Sequence, residues 1–185
     1  MKQFDHLSIF VSMIIALGVR HLILSVAGLI HLRGKVKIYY PTMIWMISLL
    51  LLQLQIWWVF FYRHDNSEWL YFNFLFYLII PITVSMISHL LLPEIKADTN
   101  LEEIYDHNHK WFFGLLASIA VVSLTEDFFR SGAAHFDLNF WGRVVFIVLS
   151  MFGLFYRSKR LQLPLAIVFL CLFIIYIALI FIRLG

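Results

Sequence analysis

The sequence predicts an all-α integral membrane protein, folded as a six-transmembrane-helix bundle. Hydrophobic residues make up 62% of the 185 residues and charged residues 14%, whereas soluble domains carry roughly 45–50% and 25%. Apolar runs of about 20 residues, long enough to cross a hydrocarbon core of about 30 Å, recur along the chain. Trp and Tyr collect at the ends of these runs, where their rings suit the level of the lipid headgroups. We therefore expect a single transmembrane domain over residues 1–185, without a soluble catalytic domain.

The first three spans are predicted at about 7–30, 41–62 and 69–92. Span 1 ends at a short basic loop that includes Arg33 and Lys35. Pro41 suits the first turn of span 2, because its missing N–H has no partner at that position in any helix. Pro81 lies in the middle of span 3 and should kink it by removing a backbone hydrogen bond.

The last three spans are predicted at about 111–129, 138–156 and 163–182. The polar loop 94–110 precedes them. Within this loop, Thr99 with Glu102 three residues later has the spacing of a capping box, so we expect a short interfacial helix between spans 3 and 4. Faint echoes between spans 1–3 and spans 4–6 leave open two three-helix halves in opposite orientation, as in several transporters.

The distribution of Lys and Arg predicts the orientation of the chain, because cytoplasmic loops retain these residues. Eight of them would lie on the side of the 94–110 loop and five on the other side. We therefore expect a bacterial inner (cytoplasmic) membrane protein with both termini outside and the 94–110 loop in the cytoplasm.

Polar side chains interrupt the middle of the first two spans. They are Arg20, His21, Gln53 and Gln55. Counted from the helix ends at 1.5 Å per residue, they share about the same depth. A cation in hydrocarbon costs on the order of 3 kcal/mol, which indicates a functional site. We expect a polar centre that lines or gates a path through the membrane, although glutamines here are also typical of structural bonds between helices.

A second charged group is predicted where spans 4 and 5 meet. It consists of Glu126, Asp127, Arg130 and Arg143. Because the two spans are antiparallel and joined by a short connection, these residues should lie at similar depth near the outer face. Two interpretations stay open: a structural pairing of opposite charges, or an entry site for a proton or cation.

Histidines are the weak candidates for a metal site on the loop side. They are His31, His89, His107 and His109. Imidazoles beside a carboxylate can bind zinc or a similar ion, but His107 and His109 point about 200° apart on a continuous helix. Neither a cofactor nor a catalytic residue is predicted. The single cysteine, Cys171, excludes an intramolecular disulfide.

The sequence excludes some functions and leaves three open. It contains no phosphate-binding glycine motif and no basic cluster with interleaved aromatics, so nucleic acid is not an expected partner. The leading hypothesis is a channel or transporter-like protein in the lipid bilayer, assembled as a homo-oligomer or with a protein partner. The alternative is an accessory or sensor subunit that binds a partner through the 94–110 loop. The third is an intramembrane enzyme or a metal or haem protein.

Overall fold

The computed structural model describes residues 3–62, 71–131 and 136–184. Apart from one isolated β-bridge, between Lys37 and Asn100, the regular structure of these residues is helical. The helices are α1 (Gln3–His31), α2 (Tyr40–Tyr62), α3 (Tyr71–Leu91), α4 (Leu101–Ser131), α5 (Leu138–Phe155) and α6 (Lys159–Leu184). The residues between the second and third predicted spans, and most of those between the fourth and fifth, lie outside the described residues.

Within the described residues, five helices are long and apolar enough to cross a membrane: α1, α2, α4, α5 and α6. The apolar stretch found in α3, Tyr77–Leu91, is shorter. The predicted all-helical class is confirmed for the described residues, and the five apolar helices fit the predicted membrane protein. The sixth crossing and the division into two three-helix halves stay predictions.

The predicted interfacial helix is not a separate element. One helix of 31 residues, α4, runs through it and through the span predicted at 111–129. Neither Gly nor Pro occurs between Leu101 and Trp111, so nothing in the sequence ends the helix there. The predicted 94–110 loop is therefore a short connection followed by the first three turns of α4.

The cap of α4 also differs from the prediction by one residue. The side-chain oxygen of Asn100 accepts a hydrogen bond from the backbone N–H of Glu102 at 3.2 Å. Its amide group donates to the Glu103 carboxylate at 2.7 Å. Asn100, one of the strongest N-cap residues, thus takes the place expected for Thr99, whose hydroxyl instead accepts from the backbone N–H of Lys96.

The bundle is built around α2, which packs against α1, α3, α4 and α6. Its Trp45 side chain is buried among rings from two other helices. The ring centroid of Trp45 lies 4.9 Å from that of Phe112, 5.5 Å from that of Phe113 and 4.7 Å from that of Phe169. This aromatic cluster joins α2, α4 and α6 and fixes the helices that surround the cavity described below.

Candidate functional site

A cavity of about 150 Å³ lies between α2, α3, α4, α5 and α6. A cavity of this size has room for several water molecules. Most of its wall is apolar, including Phe146 and Phe173. Its main polar lining residues are Gln55, Ser123, Glu126, Arg143 and Tyr176. A largely apolar pocket with a few convergent polar groups is the usual form of a small-ligand site.

Gln55 reaches the cavity because it lies on the opposite face of α2 from Gln53. Residues two positions apart on a helix point about 200° away from each other. Gln53 therefore faces α1 and α3, while Gln55 faces the cavity. The Gln55 side chain is buried, and within the described part of the chain its amide nitrogen has no hydrogen-bond partner. A buried amide donor therefore lies at the cavity wall.

Glu126 is the buried carboxylate of the cavity, with only 9% of its surface exposed. On α4 it shares a face with Ala120 and Ser123, which line the same cavity. The spacing of three residues between each keeps them on one side of the helix. This face of α4 therefore brings a carboxylate and a hydroxyl into the space between the helices.

Arg143, on α5, lines the cavity and forms an ion pair with the Asp127 carboxylate on α4. Both side chains are largely shielded from solvent, with 17% and 26% of their surface exposed. Glu126, in the cavity, and Asp127, beside it, are thus two carboxylates at neighbouring positions of α4. The side chain of Arg130, the fourth member of the predicted group, lies outside the described residues.

Tyr176 closes the α5–α6 side of the cavity. Its ring lies directly against the backbone of Gly142, where an added Cβ would come within 2.7 Å of a ring carbon. Its hydroxyl donates a hydrogen bond to the Asn139 side chain at 3.2 Å. The absence of a side chain at Gly142 thus allows an aromatic wall to approach α5.

Gln53 belongs to a tight contact between α1, α2 and α3. Its amide donates to the Ser88 hydroxyl at 3.2 Å. A Cβ added to Gly18 would lie 2.6 Å from the Ser85 hydroxyl and 2.7 Å from the Gln53 amide nitrogen. This contact leaves no room for a ligand, so Gln53 acts as a bond between helices.

His21 stacks on His89, with ring centroids 3.7 Å apart and planes 15° from parallel. The His21 Nε2 lies 2.6 Å from the carbonyl oxygen of Leu92, and the His89 Nδ1 lies 2.9 Å from that of Ser85. Since a carbonyl only accepts, these two nitrogens carry the protons. The pair was not predicted because the sequence places His89 on the loop side and His21 in the middle of its span.

Arg20 does not join the predicted polar centre. The buried residues of α1 include Gly18 and Leu22, and Arg20, two residues from each, lies on the opposite side of the helix. Its side chain is exposed and makes no hydrogen bond or ion pair with any described residue. In the single chain, Arg20 therefore lies apart from the other residues of the predicted polar centre.

A buried polar network that the sequence analysis did not identify joins α4 to α6. The Tyr105 hydroxyl donates to the Gln162 side-chain oxygen at 2.6 Å. The Gln162 amide donates to the backbone oxygen of Tyr156 at 3.0 Å and lies 3.3 Å from His109 Nε2. The two polar residues on α4 are one helical turn apart, which is a recognisable signal, but the sequence does not reveal their partner on α6.

The candidate metal ligands do not assemble among the described residues. His109 is buried in the network with Gln162, His89 stacks on His21, and His31 and His107 are exposed. Across residues 3–62, 71–131 and 136–184, no three His, Cys, Asp or Glu side chains form a group that could hold an ion. A metal site in the rest of the chain stays untested.

The acidic residues that begin α4 are held by basic residues of the same chain. Glu102 pairs with Lys37 at 3.3 Å and with Lys159 at 2.7 Å. Nearby, burial and the carboxylates of Asp106 and Glu102 raise the pKa of the Tyr39 hydroxyl, which stays protonated at neutral pH. That a partner binds to this segment stays a prediction, but part of its charge is already used within the chain.

No protein-family model, curated protein or solved structure matches this chain. The apolar helices fit a membrane protein, and a more specific function has to be argued from the geometry of the cavity.

Proposed function

We propose that this chain is a small channel or transporter-like protein that carries protons or small monovalent cations through the cavity between α2 and α6. The observation that carries the proposal is the burial of the Glu126 carboxylate in a cavity within a bundle of apolar helices. Ionisable groups inside a membrane protein are costly and often mark an ion or proton path.

The lining residues divide the work within this proposal. Glu126 provides the negative charge that binds the cation or the proton. Gln55 provides an amide on the opposite wall that can orient water or a partly dehydrated ion. The ion pair of Asp127 and Arg143 holds α4 against α5 and so positions Glu126. The volume of the cavity suits an ion with a few waters rather than a large solute.

The proposed path through the cavity differs from the polar centre that the sequence predicts in α1 and α2. Arg20 points outward and Gln53 is packed between helices, so neither belongs to the path. The proposal keeps six crossings, with α3 as the sixth, and both termini outside. Assembly into an oligomer is part of the proposal as well, because the five helices around the cavity of one chain supply few polar groups to line a path.

A flux assay in liposomes tests the proposal. The purified chain is reconstituted into vesicles that contain a pH-sensitive dye, and proton uptake is followed after a potassium diffusion potential is imposed; sodium and potassium uptake are measured with isotopes. We expect flux above that of empty vesicles. Glu126→Gln should lower it by roughly tenfold or more, because a hydrogen bond to a charged group contributes about 1.5–3 kcal/mol.

Glu103→Gln is the matched control, since it makes the same change on the same helix at an exposed position. Glutamine is also accepted at this position of a capping box, so α4 should keep its start. The proposal is overturned if vesicles with the wild-type chain carry protons, sodium and potassium no faster than empty ones. It is equally overturned if Glu126→Gln transports at the wild-type rate.

A further inference from the structure

We propose that the outer face of α1 around Arg20 binds a transmembrane helix of a second protein, one that carries a carboxylate at the level of Arg20. We define the Arg20 face by its exposed residues. They are Met13, Leu17, Arg20, Ile23, Leu24 and Ile30. This surface lies apart from the cavity between α2 and α6, so the inference does not depend on the proposed function.

The Arg20 face is a continuous helix surface. Its members recur at intervals of mostly three or four residues, which places them on one side of α1. They are well exposed, with 63% for Leu17 and 58% for Ile23. Ala16 and Ala27 are exposed on the same side, and small residues allow another helix to approach closely.

The charge of Arg20 has no counter-charge among the described residues. Arg143 on α5, by contrast, forms an ion pair with the Asp127 carboxylate of the same chain. Arg20 lies 13 residues from Leu7 and 11 residues from His31, the two ends of this apolar segment. At 1.5 Å per residue these distances are about 20 and 16 Å, beyond the reach of an arginine side chain.

Neither possible level of the bilayer surface gives suitable surroundings to both Arg20 and the exposed apolar residues that follow it on α1. The bond of His21 to the backbone oxygen of Leu92 places this part of α1 near the end of α3. A surface at that level would bring Arg20 to the headgroups but leave Ile23 and Ile30 in water. A surface at His31 would leave Arg20 in hydrocarbon. A partner helix with a carboxylate opposite Arg20 satisfies the charge and covers the apolar residues in both cases.

A second copy of this chain fits the face less well. The exposed carboxylates that the structure describes are in connections or near helix ends. They are Glu94, Asp98, Glu103 and Asp137. None lies at the level of Arg20 on a membrane-spanning surface, and a symmetric contact centred on Arg20 would bring two cations together. Charge complementarity therefore favours a different protein.

The probe for the test is a synthetic transmembrane peptide of about 22 leucines and alanines with one central Asp and a fluorescent acceptor. The full chain carries a donor dye on Cys171, which is exposed on α6. Energy transfer in liposomes is measured against a matched peptide with a central Leu. We expect the Asp peptide to bind roughly tenfold more tightly than the Leu peptide, a preference typical of a polar bond between helices.

Arg20→Leu should remove this preference and Arg20→Lys should keep most of it. Arg33→Leu, in the exposed loop after α1, is the matched control and should bind like the wild type. Leucine at this exposed position of α1 leaves the fold intact, which circular dichroism would verify. The proposal is overturned if Arg20→Leu prefers the Asp peptide as strongly as the wild type does. It is also overturned if donor-labelled and acceptor-labelled copies of the chain show energy transfer that Arg20→Leu abolishes, since the occupant would then be a second copy.

Discussion

The Asp127 carboxylate on α4 pairs with the Arg143 guanidinium on α5. The residue next to Asp127 is Glu126, which lines the cavity. Consecutive residues on a helix point about 100° apart. Asp127 therefore neutralises the arginine while Glu126 faces the space between the helices. Two adjacent acids thus have separate structural surroundings, and each can be tested by itself.

Asp127→Asn should destabilise the chain, because it leaves Arg143 without a full counter-charge in a shielded position. We expect a loss of about 1–3 kcal/mol in the free energy of unfolding, between the values for exposed and buried pairs. Unfolding in mixed detergent micelles with increasing denaturing detergent measures it. The double variant Asp127→Leu with Arg143→Leu should be more stable than Asp127→Asn, since both charges of the pair are removed together. A single variant as stable as the wild type would contradict the structural role of the pair.

Gly18→Ala should weaken the contact between α1, α2 and α3. The added methyl group would lie 2.6 Å from the Ser85 hydroxyl and would push the Gln53 amide away from Ser88. We expect a loss of about 1–3 kcal/mol, as for other overpacked sites, measured as a lower thermal midpoint. Gly114→Ala is the control, because nothing lies within 4 Å of its added Cβ. Equal effects of both substitutions would rule out the close approach at Gly18.

Gln162→Leu should destabilise the loop-side end of the bundle, since it leaves the Tyr105 hydroxyl without its acceptor. A buried polar group that loses its partner costs about 1–3 kcal/mol. Tyr105→Phe in the wild-type chain should also lower the stability. The same substitution in the Gln162→Leu variant should lower it much less, because the hydrogen bond is already absent. A double-mutant cycle of thermal stabilities measures this coupling. Strictly additive losses would show that the two side chains do not act through their hydrogen bond.

The helices could be predicted from the sequence because apolar runs of membrane length have few competing interpretations. The start of α4 could not, since the charged residues after Asn100 are equally compatible with a separate surface helix. The depth of His89 could not be predicted for a different reason. Counting from helix ends assumes that neighbouring helices end in one plane, whereas the bond of His21 to Leu92 shows that α3 ends far short of α1. The faces of Gln53 and Gln55 depended on which helices surround α2, which periodicity alone does not specify.

The two glutamines of α2 allow the function of the cavity to be separated from the stability of the bundle. Gln55 is buried with an unpartnered amide nitrogen among the described residues, so Gln55→Leu removes a polar group that the fold does not satisfy. We expect the variant to be at least as stable as the wild type, by up to about 1 kcal/mol, and yet to carry cations more slowly. A gain in stability with a loss of activity is typical of a residue kept for function.

Gln53→Leu is the matched control, because it makes the same change two residues away on the opposite face of α2. It removes the bond to Ser88, but the Ser88 hydroxyl keeps its bond to the backbone oxygen of Val84, so no donor is stranded. Its stability should change by less than about 1 kcal/mol and its flux should stay at the wild-type level. Proton uptake and thermal midpoints of both variants decide the matter. If Gln53→Leu lowers flux as much as Gln55→Leu does, the loss reflects a general disturbance of α2, and the path does not run through the cavity.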